Sequence, residues 1–409
     1  MTRDWKTKKL GDVCDLLNRG ISPKYLEKGG VCVLNQKCIR NHQINYEPSR
    51  RHDLSEKKVI EGRFIQLGDV LVNSTGTGTL GRVAQVREEP LEPTTVDSHV
   101  TIVRPKTSMF HLEFFGYMMV VIEDAIKEAG EGCGGQTELA RSTLAEKFFV
   151  SFPEQLSEQQ SIVEILDEAF EGIITAKTNI ENNLKHARNI FENQLNAIFS
   201  QRYEGWQIKS LVDVCQIKPP KSEARNRLSN MDLVSFVPME DLGIDQKNFV
   251  PKQMRPLSEV SGSYTFFAEN DVLLAKITPC FENGKLGIAA NLINGIGFGS
   301  SEYIVFRPGP SVHKEWLYYF LLRDAFRREG SEHMTGAVGH KRVSKEFIEG
   351  QQIPIPPKQE QELIITQLDS LSKETHRLES IYQRKLTALD ALKKSLLQQA
   401  FSGNLKGSL

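Results

Sequence analysis

Six cysteines (Cys14, Cys32, Cys38, Cys133, Cys215 and Cys280) are scattered through this 409-residue chain, and none forms the C-x-x-C pair of a zinc ribbon or redox motif. They read as buried thiols of a reducing compartment. No apolar run approaches the ~20 residues a membrane helix needs, and Met1-Thr2-Arg3-Asp4-Trp5 opens no apolar leader. A cytoplasmic protein is expected. Neither sign of charge prevails, with 51 Lys and Arg against 52 Asp and Glu. A polyanionic partner would have to meet local basic patches. Catalytic signatures are missing too. There is no Walker A sequence, no H-E-x-x-H among the nine histidines, and no Ser/His/Asp arrangement. The two Pro-Pro pairs are followed by Lys221 and Lys358, so the Asn/Asp-Pro-Pro-aromatic motif of an adenine methyltransferase is absent. No catalyst and no metal site is expected in this chain.

What the sequence does have is itself, twice. Trp5, Lys8, Leu10, Asp12, Val13 and Cys14 recur 201 residues later as Trp206, Lys209, Leu211, Asp213, Val214 and Cys215. Ile198-Phe199-Ser200 recurs 202 residues later as Ala400-Phe401-Ser402. Between these anchors most residues differ. Each half opens with a strand-rich region, residues 1–153 and 204–356, in which β-branched runs such as Val70-Leu71-Val72 and Tyr303-Ile304-Val305-Phe306 are punctuated by Gly, Pro and Asn. Short helical patterns at Leu112 to Ile126 and Trp316 to Phe326 follow. A proline-bounded lead-in then opens a proline-free helical stretch, within 154–203 and 357–409, from about Ser157 to Gln201 and Lys358 to Ser402.

In these stretches apolar residues recur at steps of three and four. The stripe holds Ile162, Leu166, Ile173, Ile180, Leu184 and Phe191 in the first, and Ile364, Leu368, Leu378, Leu386, Leu389 and Leu397 in the second. A rod of ~45 residues, about 65 Å long, cannot bury such a stripe alone. Its duplicate is the nearest partner, and a pseudo-two-fold fold places the two antiparallel. Residues 157–201 carry seven acids and three bases, so that rod suits water or protein better than phosphate.

The run Asn270-Asp271-Val272-Leu273-Leu274-Ala275-Lys276-Ile277-Thr278-Pro279-Cys280-Phe281-Glu282-Asn283-Gly284-Lys285 resembles a signature of target-recognition domains in the specificity subunits of Type I restriction–modification systems, with Asn270 in place of the usual glycine. Gly299-Ser300-Ser301-Glu302-Tyr303, the stretch Thr335 to Val343, the first-half version Leu67 to Ala84, and the helix starts Glu158-Gln159 and Glu360-Gln361 are similar to further parts of that pattern. Phe152-Pro153-Glu154 is a weaker lead-in than the family's usual one. The resemblance implies an α+β chain of two twisted-sheet target-recognition domains separated by two long antiparallel, coiled-coil-like helices with an internal pseudo-two-fold repeat. It implies a non-catalytic subunit whose two domains each read one half of a bipartite double-stranded DNA site. It further implies two modification (methyltransferase) subunits carrying S-adenosylmethionine, a restriction subunit using ATP and Mg2+, and no membrane.

Candidate DNA-contacting residues follow from side-chain chemistry. Lysine supplies phosphate affinity or a guanine contact, and asparagine pairs with adenine. In the second half these are Lys276, Thr278, Asn283, Lys285, His340, Lys341 and Arg342, with Lys218 and Lys221 flanking Pro219-Pro220. In the first half they are Gln36, Lys37, Arg40, Ser74, Thr75, Thr77, Arg82, Gln136 and Arg141. Gly76-Thr77-Gly78-Thr79-Leu80-Gly81 fits a dinucleotide fingerprint, yet Arg82-Val83-Ala84-Gln85-Val86 alternates like a strand and offers no helix N-terminus to a pyrophosphate. A hairpin loop near DNA is the preferred reading, and a plain surface turn the bland one. The rival for the whole chain is a coiled-coil interaction scaffold without DNA recognition, which leaves the diverged polar loops unexplained.

Overall fold

The computed structural model describes residues 5–133, 136–201, 204–337 and 339–402, and the side chains of all of these except 131–137. The chain divides into two compact units. One runs up to Ile180 and takes in the residues from Arg384 onward; the other is Glu181–Gln383. Each therefore combines one strand-rich domain with part of both long helices.

In the first unit a four-stranded antiparallel sheet has the order Cys14–Arg19, Val100–Pro105, Val70–Asn73, Val83–Gln85. Its second sheet has the order Thr94–Val96, Val31–Leu34, Arg50–His52, Tyr25–Leu26, the first pair parallel. The second unit repeats the plan. Cys215–Ile217, Tyr303–Pro308, Val272–Ala275, Leu286–Ala289 and Asn248–Phe249 form one sheet, and Gln253–Pro256, Leu233–Val237, Ile296–Gly299 and Thr265–Ala268 the other.

Alternation explains why the central strands read as unbroken apolar runs. Val70 and Val72 join a core with Phe114 and Phe115, while Leu71 joins a separate core with Ile102 and Leu34. Val272 and Leu274 likewise face Trp316 and Phe320, and Leu273 and Ala275 face Phe267 and Val305. Side chains on one strand point to opposite faces, and here both faces are covered. The Arg-Pro strand ends have a further role. Arg104 donates to both carboxylate oxygens of Asp69 at 2.7 and 2.8 Å, and Arg307 to both of Asp271 at 2.8 Å. Both aspartates are buried. Burial raises each carboxyl above its ordinary value against the pull of its arginine.

The long helices span Leu156–Ser200 and Lys358–Phe401. In the first unit Lys177 pairs with Asp390, and Lys393 lies over the ring of Phe170. In the second, Arg188 pairs with Glu379. The helices run antiparallel within each unit. The expected stripe is turned inward: Ile162, Leu166, Ile173, Leu368 and Leu397 are buried, and Ile180, Leu184, Phe191, Ile364, Leu378, Leu386 and Leu389 are half-buried. The stripe is not a seam between two rods alone. Ile162, Leu166 and Ile173 share a core with Phe114 and Met118 of the strand-rich domain, and Leu368 shares one with Trp316. A rod stripped of its domain would leave those residues in water.

The two short helical patterns are each broken in two. Leu112–Val121 is followed by Glu123–Glu128, and Lys314–Leu322 by Asp324–Glu332. Arg323 sits at the second break in extended backbone, its guanidinium 4.0 Å from the ring centroid of Phe320 and 5.4 Å from that of Phe199. Among the described cysteines all are free thiols, and burial pushes those of Cys14 and Cys215 up to about 12. Cys133 lies outside the described side chains.

Candidate nucleic-acid interface

In each unit, the loop leaving the strand Val70–Asn73 or Val272–Ala275 is crossed by a segment from just before the proline-bounded lead-in. Thr75 forms a bridge with Glu138, and Ile277 forms one with Arg342. The sequence separates these segments by about sixty residues, and strand pairing joins them into one surface.

In the first unit the loop is built on Asn73. Its buried amide donates to the carbonyls of Gln36 (3.0 Å) and Thr79 (3.2 Å). Thr79 Oγ1 donates to Gln36 Oε1 at 3.1 Å. Gln36 thus braces the loop, and Lys37 is exposed beside it, its backbone N–H donating to Asn35 Oδ1. Thr75 shares a hydrogen bond with His99 at 2.7 Å, Thr77 is exposed, and Arg82 donates to the carbonyl of Gly78 at 2.9 Å. Arg141 is exposed and donates to Asn18 at 2.7 Å. The three glycines serve the loop's chirality. Gly76 and Gly81 have φ of +106° and +82°, and a Cβ on Gly76 would fall 2.3 Å from Gln36 Oε1. The strand Val83–Gln85 follows, so no helix N-terminus faces a phosphate there.

Ser74 is a correction to the sequence-derived set. It is 1% exposed, and its hydroxyl shares a hydrogen bond with Thr101, so a base cannot reach it. Its carbonyl accepts from Leu139 N at 2.8 Å, which ties the crossing segment to the loop. Gln136 pairs with Cys133 in a short hairpin, but its side chain lies outside the described residues. Arg40 is exposed on a different hairpin, Ile39–Arg40 with Gln43–Ile44, whose turn carries Asn41 and His42 at positive φ.

In the second unit the backbone ties are Thr278 N to Lys341 O and Val343 N to Lys276 O, both 2.9 Å. Lys276 Nζ donates to the carbonyl of Ser301 at 3.0 Å, and Thr278 Oγ1 to Glu282 at 2.8 Å. Lys285 is turned inward and donates to the carbonyl of Met239 at 2.7 Å. These three hold the loop. Arg342 donates twice to Glu302, at 2.9 and 2.7 Å. That bond, with Lys276 nearby, holds the Glu302 carboxyl below its usual range. Asn283, His340 and Lys341 are exposed on this scaffold, while Phe281 is fully buried beneath it. Lys218 and Lys221 make other contacts: Lys218 N bonds to Val305 O at 2.8 Å, and Lys221 reaches the carbonyl of Gly262. Burial and the charge of Arg225 push the Lys221 ammonium down.

Sequence reasoning missed Arg19, which pairs with Glu138 at 2.7 Å and donates to Leu139 O at 2.8 Å, and it missed the role of Glu302. Both partners are far off in sequence, and no local pattern announces them. The resulting surfaces combine exposed amides, hydroxyls and cations on a rigid base, which is the chemistry that reads base edges and meets phosphates.

Comparison with known proteins places this architecture. The profile of the Type I restriction modification DNA specificity domain matches residues 2–186 and again 203–387. The Type I restriction enzyme EcoAI and EcoEI specificity subunits of Escherichia coli are each 35% identical over 189 residues, 46% of this chain and 31% of theirs, so the matched stretch spans about a third of those relatives. The putative type I restriction enzyme MjaX specificity subunit of Methanocaldococcus jannaschii is 20% identical, with 98% of this chain and 94% of that one covered. A chain from a structural study of complex assembly in the type I R-M system superposes with a TM-score of 0.74 at 18% identity, covering 98% of both chains. The crystal structure of the HsdS subunit from Thermoanaerobacter tengcongensis superposes at 0.58 and 19%, covering 99% and 98%. With two profile matches covering most of its length and a repeat visible in both sequence and fold, this chain belongs to the Type I restriction modification DNA specificity domain family.

Proposed function

We propose that this chain is the DNA-reading subunit of a Type I restriction–modification complex in the cytoplasm, and that each strand-rich domain reads one half of a bipartite, asymmetric double-stranded site. One observation carries this reading. Two equivalent loops, at Asn73–Gly81 and Lys276–Lys285, stand on the same frame with different side chains. A duplicated frame with diverged loops suits two unlike half-sites. Exposed Lys37, Thr77 and Arg141 in one domain and Asn283, His340 and Lys341 in the other are the groups offered to DNA.

In this reading the long helices set the gap between half-sites and dock two modification subunits, through which a restriction subunit joins. The modification subunits bind S-adenosylmethionine and methylate an adenine flipped from the stack; the restriction subunit uses ATP and Mg2+. The chain itself contributes recognition and no chemistry. The test is to map genomic methylation in cells expressing it with its modification subunit. A bipartite adenine-methylated motif that vanishes when this chain is omitted is the expected result. No new motif, with a partner active alongside another specificity subunit, would sink the reading. Replacing residues 1–153 with another recognition domain should change one half-site only.

A further inference from the structure

Besides the glutamines at the helix starts, Gln159 and Gln361, which bond to the backbone of His111 and His313, each recognition domain meets its long helix through a tyrosine–aspartate contact that both halves share. The hydroxyl of Tyr117, on the helix Leu112–Val121, donates to Asp167 of the first long helix. The hydroxyl of Tyr319, on Lys314–Leu322, donates to Asp369 of the second. Both residues of the pair recur at an offset of 202. The surroundings have changed more freely. A cation stands over each tyrosine ring, Arg87 at 4.9 Å from the centroid in the first unit and Lys247 at 5.6 Å in the second, where Lys247 also bonds to Asp369 at 2.5 Å. Arg87 follows the strand Val83–Gln85, whereas Lys247 precedes the strand Asn248–Phe249. They do not correspond under the repeat, so the same three-part arrangement is completed from unrelated positions.

The contact sits beside an apolar interface. In the first unit Tyr117, Phe170 and Ile173 belong to one core, and Tyr319 packs with Leu368 and Leu195 in the second. Aliphatic packing alone sets a loose register along a helix. A hydroxyl bound to a carboxylate is short and directional, and it fixes which turn of the helix faces the domain. Burial and Asp167 hold the Tyr117 phenol up at about 12, so it remains a donor throughout the neutral range.

We propose that Tyr117–Asp167 and Tyr319–Asp369 are positioning pairs that fix each recognition domain at one point along its helix, and so determine which gap length between half-sites is accepted. This rests on the proposed function, and it adds that gap selectivity depends on two hydroxyl groups as well as on helix length. The experiment uses the whole chain assembled with its modification subunit. The complex methylates a DNA library with constant half-sites and a gap varied around the native length. In Tyr117→Phe, Tyr319→Phe and the double variant, discrimination against adjacent gap lengths should fall about tenfold, as the loss of one hydrogen bond to a charged group implies. The preferred half-site bases should stay as they were. Asp167→Asn and Asp369→Asn keep a neutral acceptor, should broaden the profile less, and serve if a tyrosine variant fails to assemble. A native gap profile in every variant that assembles would overturn the proposal. So would altered half-site bases, which would place the effect on the reading surface. A native complex that methylates no two-part site would instead overturn the proposed function.

Discussion

Trp5 packs edge-on against Phe401, their ring centroids 6.4 Å apart and their planes at 79°. Phe114 completes the trio, 6.3 Å from Trp5 and 4.8 Å from Phe401. The second unit holds the same joint, with Trp316 lying 4.6 Å from Phe199 and 5.7 Å from Trp206. Phe199 and Trp206 are 7 residues apart in the sequence, whereas Trp5 and Phe401 are 396 apart. A circular permutant with the old termini joined and new ones opened near Glu204 should therefore fold and bind its modification subunit, as judged by size-exclusion chromatography. Soluble folding without partner binding would count against the equivalence of the two joints.

Gln159 and Gln361 are both fully buried. Gln159 accepts from His111 N and donates to the carbonyls of Met109 and Pro153; Gln361 does the same with His313 N, Ser311 and Pro356, all at 2.8–2.9 Å. Gln159→Leu would take this partner from three backbone groups, the Pro153 carbonyl among them buried, and should cost about 3 kcal/mol. The exposed neighbour in Gln160→Leu should cost less than about 0.5 kcal/mol. Urea unfolding of both variants, compared with the native chain, decides the matter, and equal costs would refute the role given to Gln159.

The buried pair Asp271–Arg307 predicts an asymmetry between single and double variants. Asp271→Ala takes two bonds from a half-buried guanidinium, leaving it only Glu223, and should destabilise by about 2 kcal/mol. Removing both charges in Asp271→Ala with Arg307→Leu should recover part of that loss. Thermal melts of the four species of the cycle test this, and a strictly additive double variant would show that the pair is not coupled.

Lys341 and Asn283 should separate affinity from selectivity. Lys341→Ala should weaken DNA binding evenly across sequences and reduce the salt slope of log K by about one. Asn283→Ala should relax base preference at one position of a single half-site and leave the salt slope alone. Binding titrations at several salt concentrations with a small panel of half-site variants make the measurement. A change in the same half-site position for both variants would mean the assignment of phosphate and base contacts is wrong.

Much of the frame was legible in the sequence because it rests on local rules. The helices begin within two residues of the proline-bounded lead-ins and end at the repeated Phe-Ser. The central strands stand out because Val70-Leu71-Val72 and Val272-Leu273-Leu274 are buried on both faces. The second sheets were less legible, since their edge strands, such as Tyr25–Leu26 and Gln253–Pro256, are short and exposed and carry no alternation. The candidate site was legible as a set of segments, not as a set of contacts. That Ser74 turns inward to Thr101, that Lys285 is spent on Met239, and that Arg342 is held by Glu302 all depend on partners at least 27 residues away.

Burial on both faces of Val70–Asn73 and Val272–Ala275 restricts how such a protein can acquire a new target. A one-residue slip of either strand would exchange its two sets of side chains between two filled cores, so the loops it carries cannot be re-aimed by sliding. New specificity has to come from rewriting the loops in place or from importing a whole domain, and a lineage of these chains should diversify by recombination at the helix ends more readily than by gradual drift within the sheets.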